Sequence, residues 1–186
     1  MSSLQKFHRR TQSVGPAALE MGWPATAIGG GDLTHGFWLG GPSSSKIIVS
    51  PGTTSVLGKP WGSYGTLRGV NSTTNGSTNT NTLYGFGSAA HPAAYYCKTL
   101  TTGGYNTWYL PAVNELISCV SNKAALPFAA NDAFGKYGNY PTLSSTENNG
   151  NYCRGVKVDT GQITNTTKHP AFAGRYTTRA VRITNV

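Results

Sequence analysis

The stretch GGYNTWYLPAVNELISC, residues 103–119, combines a turn, a strand and the first turns of a helix. Gly103 and Gly104 favour the turn, because glycine adopts backbone angles that other residues avoid. A strand is predicted over 107–110, and Pro111 then stands where a helix can begin at little cost. Apolar residues follow at the spacing of one helix face: Val113, Leu116, Ile117 and Val120. The stretch therefore predicts a strand followed by an amphipathic helix over 112–122.

Further short elements are predicted around this stretch. SAAHPAAYYCKTL, residues 88–100, is rich in alanine and has Pro92 early, which favours a second short helix. Strand candidates follow, and apolar and polar residues alternate in the last two of them: Tyr140–Ser144, Tyr152–Val158 and Thr178–Ile183. The alternation predicts an α+β fold with a small, largely antiparallel sheet. We expect these side chains to be buried: Trp108, Leu110, Leu116, Val156, Val158 and Val181.

The first half of the chain has a different composition. Residues 1–15 are polar and basic, and we interpret them as an arm whose cluster Lys6–Arg10 orders only against an acidic neighbour. Residues 16–87 are rich in Gly, Ser, Thr and Pro, which predicts a β-rich region with many loops. Its strand candidates are short and lie between turn signals: Gly36–Leu39, Lys46–Ser50 and, more weakly, Ser63–Val70. The polar run NSTTNGSTNTNT, residues 71–82, is predicted to be a loop.

Three motifs of the second half resemble those of one bacterial and phage family. They are the turn and helix within 103–119, YPTLSSTENNGNYCRGVKV at 140–158 and RAVRI at 179–183. The family is the one named after the C-terminal domain of the Legionella collagen-like adhesin. The resemblance implies a C-type-lectin-like domain over 88–186. The residues Tyr140-Pro141-Thr142-Leu143 depart from the family pattern, in which aromatic residues run straight into Ser-Ser-Thr. Because this fold carries many roles, the resemblance predicts the fold more firmly than the function.

Charge and cysteine content limit the classes of partner. The net charge is +9, from 15 basic and 6 acidic residues, which suits an anionic surface or an acidic protein. Nucleic acid is not expected as a partner, because no aromatic-interleaved basic motif is present. No apolar run is long enough to span a membrane. Cys97, Cys119 and Cys153 are either three buried thiols or one disulfide and one free thiol.

Catalytic and metal motifs are missing from the sequence. Gly62-Ser63-Tyr64-Gly65 has the wrong spacing for a nucleophile elbow, and no phosphate-binding loop is present. The four histidines do not have the spacing of a zinc site, and six acidic residues are too few for a calcium cage. We therefore expect neither an enzyme nor a bound cofactor or metal.

Two sets of residues are candidates for specific roles. Glu115 or Glu147 is expected to form a structural ion pair with Arg179 or Arg182, since all four lie inside the family-like motifs. A ligand-binding face is expected in the stretch 136–151, which is rich in asparagine and tyrosine. Its candidate residues are Tyr137, Tyr140, Asn148, Asn149 and Asn151.

Two functions remain open at this point. The first is a bacteriophage virion structural protein, such as a capsid decoration, knob, collar or small fibre component. It fits the small share of charged residues and the lack of a visible secretory signal, and it predicts localisation in the virion. Its partners would be other virion proteins and copies of the same chain, docked through the first half. The alternative is a receptor-binding adhesin that recognises a host surface glycan or protein.

Overall fold

Nine strands form two separate sheets in the computed structural model, which describes residues 31–42, 45–125 and 140–185. The first sheet has the order β1-β2-β3-β9 and is antiparallel throughout. Its strands are β1 (Gly31–Asp32), β2 (Gly36–Gly40), β3 (Ser45–Val49) and β9 (Val181–Asn185). The C-terminal motif RAVRI thus pairs with a strand from the first half of the chain.

The second sheet has the order β4-β8-β5-β6-β7. All its pairs are antiparallel except β5 with β8. Its strands are β4 (Val56–Leu57), β5 (Thr142–Glu147), β6 (Tyr152–Val156), β7 (Ile163–Thr167) and β8 (Thr177–Thr178). The register of β5 against β6 shifts between Leu143 and Glu147, so β5 is irregular at the end that carries the glutamate. That end leads into the turn 148–151.

Three α-helices occur in the described ranges, and two of them match the prediction. These are α2 (Pro92–Lys98) and α3 (Val113–Ser121). The helix α3 buries its apolar stripe against β2, β3, β5 and β6. All six side chains expected in the core are buried, which confirms the α+β fold and the position of its core.

The third helix, α1 (Gly76–Gly85), corrects the prediction of a loop at 71–82. Its residues are poor helix formers, but two side chains, that of the N-cap residue Asn75 and that of Thr80, make stabilising contacts. Asn75 caps the first turn by accepting a hydrogen bond from the Thr78 N–H at 2.9 Å. The buried Thr80 hydroxyl accepts from the Leu110 N–H and donates to the Leu110 carbonyl, each at 3.0 Å. Tertiary hydrogen bonds thus outweigh the local propensity.

One other prediction about the first half is wrong: residues 63–70, the weak strand candidate, form an irregular loop instead of a strand. Both hydrophobic clusters draw on residues from both sides of the predicted boundary between residues 87 and 88. The arm 1–15 and the segment 16–30 lie outside the described residues.

The three cysteines, Cys97, Cys119 and Cys153, are buried free thiols, which decides between the two alternatives that the sequence left open. Burial raises the pKa of each thiol, so none of them carries an activated thiolate. In the part of the chain that the structure describes, no helix is long and apolar enough to cross a membrane.

Candidate functional site

Glu147, the last residue of β5, binds the backbone of the loop 62–69 through its carboxylate. Its carboxylate is buried and accepts hydrogen bonds from the backbone N–H groups of Arg68 and Gly69 at 2.8–2.9 Å. It also accepts a 2.5 Å hydrogen bond from the ammonium group of Lys168, whose side chain is fully buried. The same ammonium group donates to the Thr66 carbonyl at 3.0 Å and lies 4.6 Å from the centre of the Trp61 ring.

This ion pair corrects the prediction that Glu147 pairs with an arginine of the closing motif. Lys168 follows β7 directly, so the pair joins the end of β5, the loop 62–69 and the start of the segment 168–175. A buried charge pair of this kind is costly to break, because removal of one partner leaves the other charge buried and uncompensated. The pair therefore fixes the relative position of these segments.

The loop 62–69 is also held at its other end, around Ser63. Ser63 has a φ of 52°, which is rare for a residue with a side chain. Its hydroxyl accepts a 2.7 Å hydrogen bond from the Arg68 guanidinium and lies 3.1 Å from Nε2 of the buried His91. Nδ1 of His91 lies 2.9 Å from the Trp61 carbonyl. This carbonyl can only accept, so Nδ1 donates to it and Nε2 accepts from the Ser63 hydroxyl.

His91 remains uncharged in this environment. Burial lowers the pKa of His91, and the nearby charges of Arg68 and Lys168 lower it further. Gly62 makes the close approach to this region possible: its φ is +98°, and a Cβ there would lie 1.8 Å from the Ala90 carbonyl oxygen. The loop conformation is therefore tightly constrained.

Three segments meet at this place and form one surface, which we call the loop platform: residues 62–69, 148–151 and 168–175. The Gly65 N–H donates to the Gly150 carbonyl at 2.9 Å, and the Lys168 N–H donates to the Asn151 carbonyl at 2.9 Å. Large side chains are nevertheless exposed on the platform: Tyr64, Leu67 and Phe172 are 50%, 69% and 42% exposed. A rigid backbone that presents exposed aromatic side chains is suited to binding.

The aromatic rings of the platform contact one another in a row. His169 lies between Tyr64 and Phe172, with ring centres 5.0 and 5.8 Å apart and both pairs close to perpendicular. The Arg175 guanidinium lies 5.4 Å from the centre of the Phe172 ring. The Arg68 guanidinium of the loop 62–69 lies 4.2 Å from the centre of the exposed Phe86 ring, which is outside the platform. The row has aromatic faces and cationic groups but no exposed carboxylate among these side chains.

The structure separates the predicted ligand-binding residues. Asn148, Asn149 and Asn151 lie in the turn after β5, on the loop platform, whereas Tyr140 lies before the opposite end of β5. Five residue steps along this strand place the two ends on the order of 17 Å apart. Tyr137 lies outside the described residues. The predicted face therefore does not include Tyr140 and the asparagines in a single site.

The asparagines of the turn differ in what they do. The Asn149 side chain accepts from the backbone N–H groups of Asn151 and Tyr152, and so shapes the turn itself. The Asn148 amide donates to the Asn165 side chain at 3.1 Å. The exposed Asn151 side chain has no hydrogen-bond partner within the described ranges, so its amide is available to a ligand.

Glu115 also lacks the predicted arginine partner and instead joins three elements. Its Oε2 accepts from the backbone N–H of Ala112 at 2.8 Å and of Gly76 at 3.2 Å, at the starts of α3 and α1. Its Oε1 accepts from the Tyr109 hydroxyl at 3.1 Å. Burial raises the pKa of Glu115, whereas these hydrogen bonds act against the rise.

The two arginines of the closing motif stabilise the core. The guanidinium group of Arg179 donates to the Ser50 carbonyl at 2.9 Å through Nε. Arg182 lies with its guanidinium 3.6 Å from the centre of the Tyr105 ring and 5.5 Å from that of Trp108. Both side chains are buried, and the bond from Arg179 to Ser50 joins the two halves of the chain.

Sequence reasoning missed the contribution of residues 62–69 and 168–175 to the site. Residues 63–70 were predicted as a weak strand, and no local pattern linked them to Lys168 about a hundred residues later. A lysine that follows a strand is normally exposed, and its burial depends on the distant Glu147 carboxylate.

The α+β arrangement of two sheets is consistent with a small C-type-lectin-like domain. Buried residues of the family-like motifs hold its elements together, and the loop platform is constrained by them. Residues 61–182 match the family model of the Lcl C-terminal domain, which covers more than half of the 186-residue chain. The chain therefore belongs to the Lcl C-terminal domain family, and this membership indicates an adhesin-like module. No curated protein matches the chain.

Proposed function

We propose that the chain is a non-catalytic, adhesin-like binding module that a bacteriophage particle carries as a virion structural protein. The observation that supports binding most directly is the loop platform. Its backbone is held by the buried ion pair of Glu147 with Lys168, while Tyr64, Leu67 and Phe172 remain exposed above it. A surface that is already ordered loses little conformational entropy when a partner binds.

The contact between Ser63 and His91 is assigned a structural role. A serine hydroxyl beside an uncharged imidazole has the geometry of a nucleophile with its base. Here the same hydroxyl also accepts from the Arg68 guanidinium, whose backbone N–H is bound by Glu147. The hydroxyl therefore closes the loop 62–69 on itself through Arg68 and connects the loop to His91, which accounts for the contact without a reaction.

Composition supports the particle as the setting. Charged residues are only 11% of the chain, and the net charge of +9 favours docking on an acidic neighbour. Docking through the part of the first half that precedes the loop 62–69, onto copies of the chain or onto a larger particle, would leave the loop platform outward. The platform would then face the host surface, so one chain would serve both as a virion structural protein and as a receptor-binding adhesin.

The particle assignment is tested by expressing the gene with its genomic neighbours and purifying particles on a density gradient. We expect mass spectrometry to find the chain in the particle band at a fixed ratio to the major capsid protein. A chain that remains entirely in the particle-free fractions would contradict the virion role.

The absence of catalysis is tested separately with a fluorophosphonate probe, which labels activated serines. We expect no covalent adduct on Ser63 by peptide mass spectrometry, and the Ser63→Ala variant serves as the matched control. Stoichiometric labelling of Ser63 in the wild type would show a reactive nucleophile and overturn the non-catalytic assignment.

A further inference from the structure

We infer that Asn149 is a site of spontaneous deamidation, through which the loop platform changes its shape and charge as the protein ages. The chain contains two Asn–Gly steps, Asn75–Gly76 and Asn149–Gly150. A glycine after asparagine favours attack of its backbone nitrogen on the side chain, because no Cβ hinders the approach. The surroundings of the two steps differ, and only the second permits the reaction. The inference goes beyond the proposed function, since it needs no ligand.

The reaction uses only the chain and water. The Gly150 nitrogen gives its proton to solvent base and bonds to Cγ of Asn149, while the side-chain nitrogen takes up a proton and leaves as ammonia. The product is a succinimide ring, which water then opens at either of its carbonyls. Attack at Cγ gives aspartate. Attack at the main-chain carbonyl gives isoaspartate, in which the backbone runs through the former side chain and is longer by one methylene group.

The turn leaves the attacking nitrogen of this step free. Asn149 is exposed, and the Gly150 N–H has no hydrogen-bond partner in the ranges that the structure describes. The nitrogen therefore loses no hydrogen bond when it attacks. Gly150 also has room to move, because a Cβ built on it would lie no closer than 3.4 Å to any atom beyond the neighbouring residues.

The side-chain carbonyl of Asn149 is held by donors at the atom where charge develops. Its Oδ1 accepts from the backbone N–H groups of Asn151 and Tyr152, both at 2.9 Å. Attack on Cγ moves negative charge onto this oxygen, and donors that are already in place stabilise that charge. The two bonds that shape the turn thus also favour the tetrahedral intermediate of the reaction.

The step Asn75–Gly76 is protected by its position at the start of α1. The Gly76 N–H donates to the buried Glu115 carboxylate at 3.2 Å, so its nitrogen would have to give up this bond before it attacks. Gly76 is buried, and a Cβ there would lie 2.4 Å from the Ala112 nitrogen, so the backbone has no space to close a ring. Asn75 therefore serves as an internal control with the same following residue.

Deamidation acts on the platform through Gly150. The Gly150 carbonyl accepts from the Gly65 N–H at 2.9 Å, which joins the turn 148–151 to the loop 62–69. Aspartate keeps the backbone and an oxygen for the two N–H bonds, so it adds only a negative charge. Isoaspartate lengthens the backbone beside Gly150 and moves its carbonyl away from the Gly65 N–H. Isoaspartate should therefore loosen the platform, whereas aspartate should not.

The experiment ages the purified full chain in warm buffer at neutral and at mildly alkaline pH, and peptide mass spectrometry follows each asparagine. We expect Asn149 to convert to aspartate and isoaspartate, faster at the higher pH, while Asn75 stays intact. In protein unfolded by urea, both steps should convert at similar rates. Gly150→Ala should slow the conversion of Asn149 about tenfold, because the added Cβ hinders the attack although the fold has room for it.

Hydrogen exchange measures the effect on the platform. The deamidated fraction, separated from intact protein by ion exchange, contains both products, whereas the Asn149→Asp variant contains aspartate alone. We expect the amide of Gly65 to exchange faster in the deamidated fraction than in the variant, which should match the intact protein.

Two results would overturn the site: equal conversion of Asn75 and Asn149 in the folded chain, or an Asn149 that stays intact under conditions that convert it in the unfolded chain. Conversion of Asn149 with unchanged exchange at Gly65 would overturn the effect on the platform.

Discussion

Glu115 and Glu147 are both buried carboxylates, but only Glu115 has a hydrogen-bond partner that can also act as an acceptor. Both oxygens of Glu147 face only donors: the backbone N–H groups of Arg68 and Gly69 and the Lys168 ammonium group. One oxygen of Glu115 faces the Tyr109 hydroxyl, which can also accept. The same substitution by glutamine should therefore be far more destabilising at Glu147 than at Glu115.

The Glu147→Gln variant should lose about 3–5 kcal/mol of unfolding free energy. The buried Lys168 charge would have no counter-charge, and the amide NH₂ would face hydrogen-bond donors instead of acceptors. The Glu115→Gln variant should stay within about 1 kcal/mol of wild type, because its NH₂ can donate to Tyr109 while its oxygen keeps the two backbone N–H bonds. Urea unfolding of both variants at neutral pH measures the difference. Equal losses would refute the distinction between the two carboxylates.

The difference in stability between the wild type and Glu115→Gln should depend on pH, because burial raises the pKa of Glu115. The contribution of this group to stability is then fully present below its ordinary pKa and decreases as the pH rises through the folded value. The wild type should therefore lose stability relative to Glu115→Gln as the pH increases from about 4 toward neutrality. A stability difference that does not change with pH would show that the carboxyl has the same pKa in both states.

The opposite sign applies to His91, whose pKa is lowered by burial and by neighbouring cations. The folded state holds His91 uncharged, while the unfolded chain takes up a proton below about pH 6.5. Stability from this group should be present above that pH and lost as the pH falls through the folded pKa. Unfolding free energies between pH 7 and 5 should therefore fall more steeply for the wild type than for His91→Gln. Parallel curves would contradict a buried neutral imidazole.

At the scale of elements, α1 depends on tertiary hydrogen bonds more than on its own sequence. Thr80→Val keeps the shape of the side chain but leaves the buried N–H and carbonyl of Leu110 without their partner. It should cost about 1–3 kcal/mol of unfolding free energy. The exposed Thr82 bonds only to the Thr78 carbonyl in its own helix, so Thr82→Val is the matched control and should cost well under 1 kcal/mol. Similar costs for both variants would mean that the contact with Leu110 contributes little.

The helix α1 also shows where sequence reasoning reached its limit. α3 was predictable because its apolar stripe is local, and the strand β6 was predictable because its alternation is local. The strand predicted over 178–183 instead divides between β8 and β9, and Ile183 is exposed while Arg182 is buried. The residues of α1 carry no such period, and their helical state is stabilised by Leu110, some thirty residues away. The platform was missed for the same reason, since Glu147 and Lys168 take their partners from the loop 62–69.

At the scale of the whole molecule, the buried charges connect the two halves of the chain. Arg179 bonds to Ser50, and Lys168 bonds to Thr66, so residues of the closing segment hold the first half in place. The motifs that define the family thus build the scaffold, whereas the exposed Tyr64, Leu67 and Phe172 of the platform stand outside them. Relatives could then share a fold while differing in ligand.

The binding face of the module is tested most directly by mapping amide chemical shifts while a soluble extract of the host cell surface is added to isotope-labelled protein. We predict that the shifts concentrate at 62–69, 148–151 and 168–175, with the side-chain amide of Asn151 among them. Amides next to Tyr140, at the opposite end of β5, should not move. Shifts that cluster around Tyr140 and leave the loop platform unchanged would contradict the account.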